Sequence, residues 1–307
     1  MARISTAAAA DAALLNILSA QQVAFEAQTQ VATGRVAEDL AGFGATATEV
    51  TDTRALTART ESFIEAAQSV AAQTSIQDLS LNSLSEQALA LRDSLTSAVS
   101  LDEGSFLLDD LSNQFSIVVG ALNVTQAGQF LFGGTRTDQI PVNVTSLGDL
   151  ASRPTIEEIF DNGPQARVAR IDENQVVEVA PLADEAGLLL LDSIRRIAQF
   201  DAGPDGPFDG EITPAQRTFL ETEIQNVTAA FEEINLIQSR NGLIGGQADD
   251  AALRLEDQQF FLLGLSGDLE NADLAEAAIL LNLGQTAVAA SAQAFSALSD
   301  STLLNFI

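Results

Sequence analysis

The stretch FIEAAQSVAAQTSIQDLSLNSLSEQALALRDSLTSA, residues 63–98, decides the fold of this chain. Its apolar side chains recur at alternating spacings of three and four, the heptad pattern of a helix that packs in a coiled coil. The positions on this seam are Phe63, Ala67, Val70, Thr74, Gln77, Leu81, Leu84, Ala88, Leu91, Leu95 and Ala98. We predict one helix of roughly 45 residues over 52–97. Because a compact domain seldom needs such a helix, we expect an elongated protein.

Helical patterns also precede and follow this segment. A first helix is predicted over 5–31, ending at Gly34, and a third over 105–129, ending at Gly133 and Gly134. Helical spacing returns over 182–200.

A further helix is predicted to begin at Thr213, with Pro214 at the first helical position and Gln216 completing a capping box. Its pattern continues nearly to the end of the sequence. Gly245 and Gly246 within it predict a local interruption.

The amino-acid composition changes between residues 135 and 182. Four of the seven prolines lie here, and short β-branched runs cover 140–144, 167–171 and 175–179, which predicts a small β-rich insert with hairpin strands.

The fold class is therefore mainly α: an elongated, antiparallel coiled-coil or helical bundle built from both termini, with a β-rich insert in the middle. We predict three domains. Residues 1–45 and 255–307 form an inner coiled-coil domain of terminal helices, 46–134 and 183–254 form a long helical bundle, and 135–182 form the outer insert.

Composition excludes most chemistry. The chain has 43 acidic residues against 14 basic ones, all Arg, for a net charge of -29, so it would repel nucleic acid and anionic membranes. His, Cys, Lys, Tyr and Trp are absent, which removes imidazole and thiolate metal sites, Ser-His and Cys-His nucleophiles, and Schiff-base chemistry. We predict no cofactor, no metal and no enzymatic activity.

The terminal helices carry apolar stripes wider than one partner helix would cover, which predicts assembly through both ends of the chain. The residues predicted to form this assembly interface are Leu14, Leu18, Phe25, Leu281, Phe295 and Leu298.

Four motifs invite other interpretations. Gly133 and Gly134 lack the spacing and Lys of a phosphate-binding loop, and a structural stop is favoured. The triplet 245–247, GGQ, matches peptide release factors, but a chain this acidic would not settle on ribosomal RNA. The acidic loop 201–211 could chelate calcium, yet its spacing is not that of an EF-hand. The carboxylates at 268, 270, 273 and 276 fit the polar side of an amphipathic helix.

Several of these segments together resemble the flagellin family of bacterial axial proteins. The N-terminal sequence 1–36, with its turn Thr33-Gly34-Arg35-Val36, is similar to the opening helix of the family, and 265–307 is similar to the closing helix. Within the family, FLFGGTRTDQIPV at 130–142 and the ending 301–307 are more like proteins of the hook-filament junction than like filament flagellin. After Val36 the sequence AEDLAGFGATATEV departs from the family pattern.

The resemblance implies a structural subunit of the flagellum, an adaptor ring at the hook-filament junction. It also implies type III export without a cleavable signal peptide and an extracellular location. The implied partners are flagellin, hook-associated protein 1, an export chaperone and copies of itself. The alternatives are a filament flagellin and, more distantly, a calcium-binding secreted protein or carboxylate-dependent hydrolase that uses the loop 201–211.

Overall fold

The computed structural model describes the backbone of residues 2–179 and 181–304, and the side chains of 11–179 and 181–297. The predicted fold class is confirmed, since long helices come from both ends of the chain and short strands lie in the middle. The helices are α1 (Ala2–Thr33), α2 (Ala47–Leu101), α3 (Leu107–Leu122), α4 (Leu147–Ser152), α5 (Ala183–Asp201), α6 (Pro214–Glu270) and α7 (Leu274–Leu304), with short 3-10 helices at Leu40–Thr46 and Glu157–Ile159. The strands are β1 (Thr125–Gln126), β2 (Gln129–Phe130), β3 (Arg167–Asp172) and β4 (Gln175–Val179).

These elements form two compact units. The first unit is drawn from residues 1–60 and 257–307 and the second from 61–256. The first therefore contains α1, α7 and the neighbouring ends of α2 and α6. The second contains the predicted β insert together with the remaining helices.

The heptad seam of α2 forms the centre of the second unit. Every seam position from Ala67 to Ala98 is buried, and Phe63 is partly buried. The leucines of the seam join one apolar cluster with α3, α5 and α6, in which Leu111, Leu191 and Leu220 are fully buried. The prediction of one long helix is confirmed, and the helix is longer than expected at 55 residues.

Both polar seam positions are hydrogen-bonded to residues outside α2. The Gln77 side chain donates a hydrogen bond to the Leu131 carbonyl oxygen at 2.9 Å, and the Asn241 side chain of α6 donates to the Thr74 carbonyl oxygen at 2.8 Å. All three side chains are buried. A buried polar group that must find its partner fixes how far one element can slide along another. The Asn241 bond therefore fixes the register of α6 on α2, and the Gln77 bond fixes the position of Leu131 on α2.

The predicted interruption of the last long helix at its glycines is wrong, because α6 continues unbroken through residues 242–247. At Gly245 a side-chain Cβ would lie 2.9 Å from the Thr74 hydroxyl oxygen. This glycine therefore permits close approach of α2 to α6, and the packing on either side maintains the helix.

The third helix also ends earlier than predicted, at Leu122 instead of about residue 129. The next residue, Asn123, exchanges two hydrogen bonds of 2.9 Å with the backbone of Val142, one through its amide nitrogen and one through its oxygen. Such a side chain offers the backbone an alternative to the helix. A tight β1–β2 hairpin follows, with Ala127 and Gly128 at positive φ.

In the middle region, two of the three predicted strands are confirmed. β3 and β4 pair antiparallel with an irregularity between Arg170 and Asp172. Their inner side chains Ile171, Val177 and Val179 pack on small residues of α2 and α6. The run 140–144 makes only one isolated bridge, Val142 to Phe160, because the polar atoms of Val142 are taken by Asn123.

Gly133 and Gly134 form a packed turn, not a ligand-binding loop. A Cβ on Gly133 would lie 2.4 Å from the Arg136 carbonyl oxygen, and Gly134 has φ of 58° with the Leu182 side chain 2.5 Å from its would-be Cβ. Only glycine fits both the positive φ and the close contacts. The prediction that these glycines stop the third helix is wrong, because α3 already ends at Leu122, eleven residues before Gly133.

Candidate assembly surface on the terminal helices

The helices α1 and α7 pack against each other along their length and are called here the terminal helix pair. The α1 side chains turned towards α7 are small for the most part and follow heptad spacing, whereas those of α7 are mixed in size. On α1 they are Ala13, Ile17, Ala20, Ala24 and Ala27, and on α7 they are Ala277, Leu280, Leu281, Gly284, Ala287, Val288 and Ser291. Small side chains let two helix backbones approach closely.

The two helices approach closely at Gly284. A Cβ on this residue would lie 2.9 Å from the Cβ of Ala24 and 3.0 Å from its Cα and its backbone nitrogen. These contacts are with backbone that cannot swing aside. The two helices are therefore held at a distance that only glycine allows.

The large apolar residues of α1 lie beside this contact row, displaced by one position in sequence. Leu14 is 49% exposed, Leu18 53% and Phe25 70%. A shift of one residue is a rotation of about 100° around a helix, so the predicted stripe faces outward. On α7, Phe295 is 40% exposed and Leu281 is partly buried, while the side chain of Leu298 lies outside the described residues.

A groove of about 370 Å³ runs between the two helices and brings together two of the predicted interface residues, Phe25 and Leu281. Its other lining residues are Gln21, Ala24, Gln28, Gln285, Val288 and Ala289. The antiparallel register that pairs Ala24 with Gly284 places Leu14 level with the neighbourhood of Phe295. Phe25 and Leu281 thus lie on one apolar, amide-rimmed surface.

This surface is uncharged. Residues 12–25 of α1 and 277–297 of α7 include no Asp, Glu or Arg, although the chain carries a net charge of -29. Self-repulsion makes contact between such acidic chains costly wherever charges meet. The terminal helix pair therefore carries an uncharged stretch on both helices at the same level.

The end of the pair is fixed by a carboxylate that the sequence interpretation assigned to an exposed helix face. Glu270, the last residue of α6, is 6% exposed. It accepts hydrogen bonds from Arg54 at 2.9 and 2.5 Å and from the Ser266 hydroxyl at 2.9 Å, and Arg35 lies 3.3 Å away. The hydrogen bond from Arg54 is the main cause that lowers the pKa of Glu270 to about 2. These four residues are called the Glu270 cluster.

The predicted turn Thr33-Gly34-Arg35-Val36 belongs to the same junction. Gly34 has φ of 71° and ends α1. The Val36 nitrogen donates to the Glu270 carbonyl oxygen at 2.8 Å, and the Ala272 nitrogen donates to the Gly34 carbonyl oxygen at 2.9 Å. Backbone and side chain of one residue therefore hold the end of α1, the start of α2 and the break between α6 and α7.

No protein-family model matches the sequence, and no curated protein matches it. Solved structures do match in fold. A Vibrio parahaemolyticus protein described as a flagellar hook-associated protein aligns with a TM-score of 0.59 and 15% identity, over 76% of this chain and 99% of its own. FlgL from Bacillus cereus aligns with a TM-score of 0.54 and 11% identity, over 71% of this chain and 98% of its own. This fold is shared with flagellar hook-associated proteins.

Two other groups of carboxylates were candidate sites in the sequence: the acidic loop 201–211 and the carboxylates near the start of α7. Within the described residues no three Asp or Glu side chains are grouped so as to hold a metal ion. In the acidic loop 201–211, Asp201 accepts a hydrogen bond from the Phe208 nitrogen at 2.8 Å. Asp273 caps the start of α7 by accepting from the nitrogens of Ala275 and Glu276. Asp201 and Asp273 therefore bind backbone nitrogens close to them in sequence.

One stretch, Leu274–Ala297, is long and apolar enough to cross a membrane by length and composition alone, among the residues that the structure describes. Only 11% of this window is buried. The stretch lies within α7, one half of the terminal helix pair.

Proposed function

We propose that the protein is a structural subunit of the bacterial flagellum that acts as an adaptor at the hook-filament junction, the role of hook-associated protein 3. In this proposal copies of the chain form a ring through their terminal helix pairs. The shared fold supports a flagellar structural role. The resemblance of residues 130–142 to proteins of the hook-filament junction supports a position at that junction.

The observation that carries the proposal is the uncharged apolar surface of the terminal helix pair. In a single chain Leu18 and Phe25 are more than half exposed, at 53% and 70%. Covering large apolar side chains is favourable by about 25 cal/mol per Å². The mechanism we propose is that these side chains become buried between neighbouring subunits, so that ordering of the ends and assembly occur together.

The proposed partners follow from this position. Flagellin contacts the ring on the distal side and hook-associated protein 1 on the hook side, and an export chaperone covers a terminal helix before assembly. The chain leaves the cell by the flagellar type III route and works outside it. Because the structural neighbours are flagellar structural proteins, we assign no catalytic activity.

The decisive experiment is to locate the protein on isolated flagella with gold-labelled antibody. The proposal expects label at a single position between hook and filament. Label along the whole shaft, or long filaments formed by the purified protein alone, would identify a filament flagellin. Absence of label from flagella would overturn the flagellar role altogether.

A second experiment addresses the surface. Phe25→Ser and Leu281→Ser should abolish incorporation at the junction, whereas Leu253→Ser, at an apolar residue 62% exposed on the second unit, should leave it intact. Incorporation of a chain lacking residues 1–33 and 265–307 would contradict the proposed mechanism.

A further inference from the structure

A second groove, of about 390 Å³, lies in the second unit where α2 ends and α3 begins. We call it the α2–α3 groove. Its lining residues are Ala90, Asp93, Ser94, Ser97, Ala98, Leu101, Glu103, Phe106, Leu107 and Asp110. None of them belongs to the terminal helix pair, and the proposed function makes no use of them.

Two exposed apolar side chains border this groove. Leu101 is 76% exposed and Phe106 is 74% exposed, the highest values among the described large apolar residues of the second unit. Single exposed apolar residues are common on any surface. Here the two most exposed ones lie on the same groove, which is typical of a binding surface.

The backbone that presents them is held in place. Asp102, between α2 and α3, has φ of 60°, a conformation that non-glycine residues seldom adopt. Arg217 of α6 donates to the Asp102 carboxylate at 2.6 Å and to the Val99 carbonyl oxygen at 2.8 Å, and the Ile212 nitrogen donates to the Asp102 carbonyl oxygen. The groove is therefore largely pre-formed, which reduces the entropy cost of binding.

Charge determines which partner fits. Three carboxylates line the groove and no basic residue does. Asp93 pairs with Arg92 at 3.1 Å, Asp110 accepts from the Ser94 hydroxyl at 3.1 Å, and Glu103 accepts from the hydroxyl and nitrogen of Ser105. The bonds from Ser105 also lower the pKa of Glu103. The groove thus presents carboxylates around an apolar floor.

We propose that the α2–α3 groove binds a cationic amphipathic helix of another protein, with an apolar side chain between Leu101 and Phe106 and basic side chains at Asp93, Glu103 and Asp110. A helix is favoured because most of the lining residues belong to α2 and α3, which offer no strand edge for an extended peptide. A second copy is disfavoured because its basic residues are few. Its longest basic run, Arg195-Arg196, is paired with Asp192 and Glu223.

The test uses the full chain and a synthetic helix of about 18 residues made of leucine and lysine in amphipathic order. Binding is measured by fluorescence anisotropy in about 50 mM and about 300 mM NaCl. One variant removes the groove acids (Asp93→Asn, Glu103→Gln, Asp110→Asn). A matched control removes three exposed acids of α6 (Glu232→Gln, Glu233→Gln, Asp249→Asn), which changes the net charge equally. A third variant is Leu101→Ser with Phe106→Ser.

We expect the groove acid variant and the Leu101/Phe106 variant each to weaken binding at about 300 mM NaCl by about tenfold or more, and the control by less than about twofold. Equal weakening by the two acid variants would show non-specific attraction to an acidic protein and would overturn the proposal. So would unchanged binding to the Leu101/Phe106 variant. Circular dichroism confirms that each variant is folded, which is expected because the changed side chains are at the surface.

Discussion

At the residue scale, Glu270 shows how much one side chain can hold together. It joins residues 35 and 54 to the end of α6 through charge-assisted hydrogen bonds. Sequence spacing alone placed it with exposed carboxylates, because no local pattern reveals that two arginines more than 200 residues away will meet it.

We predict that Glu270→Gln lowers the free energy of unfolding by about 1–3 kcal/mol at pH 7, since the bonds to Arg54 and Arg35 lose their ionic character. The pKa of Glu270 falls from its ordinary 4.5 to about 2 on folding. The stabilisation is therefore complete above about pH 4.5 and is lost as the pH falls to about 2. Urea unfolding of both proteins across this range measures the difference.

The matched control is Asp268→Asn, at an exposed carboxylate two residues earlier on the same helix. It should change stability by less than about 0.5 kcal/mol. A difference between wild type and Glu270→Gln that persists undiminished at pH 2 would contradict the assignment.

Gly284 gives a second residue-scale prediction. Gly284→Ala should destabilise the terminal helix pair by about 1–3 kcal/mol, because its Cβ meets the backbone of Ala24. Gly264→Ala, on α6 with no atom within 4 Å of the would-be Cβ, should be neutral or stabilise by up to about 1 kcal/mol. Hydrogen exchange of α1 amides compares the two variants, and equal protection in both would refute the close approach.

At the element scale, the start of α6 was fully predictable from sequence. The Thr213 nitrogen donates to the Gln216 side chain at 2.9 Å and the Gln216 nitrogen donates to the Thr213 hydroxyl at 3.3 Å, which is the predicted capping box. The heptad seam of α2 was also predictable from sequence. By contrast, the end of α3 was missed because Asn123 bonds to Val142, a partner that local sequence does not indicate.

We predict that Thr213→Ala lowers the free energy of unfolding by about 1 kcal/mol by removing this cap. Thr218→Ala, which removes an exposed hydroxyl bonded to the Pro214 carbonyl oxygen in the same helix, should have almost no effect. Thermal unfolding followed by circular dichroism tests both, and equal midpoints for the two variants would rule out a contribution from the cap.

The predicted interface shows the same division between what sequence reveals and what it does not. Composition identified the terminal helices and the large residues Leu14, Leu18 and Phe25. It did not reveal that α1 contacts α7 through the set of residues one position away, because both sets follow heptad spacing. This second set is Ala13, Ile17, Ala20, Ala24 and Ala27. Burial and the contact at Gly284 distinguish the two sets in the structure.

At the scale of the whole molecule, charge and apolar surface oppose each other. With a net charge of -29, copies repel at low ionic strength, while the uncharged stretches 12–25 and 277–297 of the terminal helix pair favour contact. We predict that self-association of the purified protein strengthens between about 50 mM and about 500 mM NaCl, as screening shortens the range of repulsion. Sedimentation velocity measures this, and association that weakens with salt would indicate an ionic interface instead.

The antiparallel pairing of α1 with α7 also sets an order of events during synthesis. α1 ends at residue 33 and α7 begins at residue 274, so about 240 residues are translated between them. At about 5–20 residues per second, synthesis of these residues takes on the order of tens of seconds, and α1 has no partner helix until it is complete. During that interval the apolar side chains of α1 lack their partner helix. The nascent chain is therefore most prone to aggregation before α7 has been synthesised.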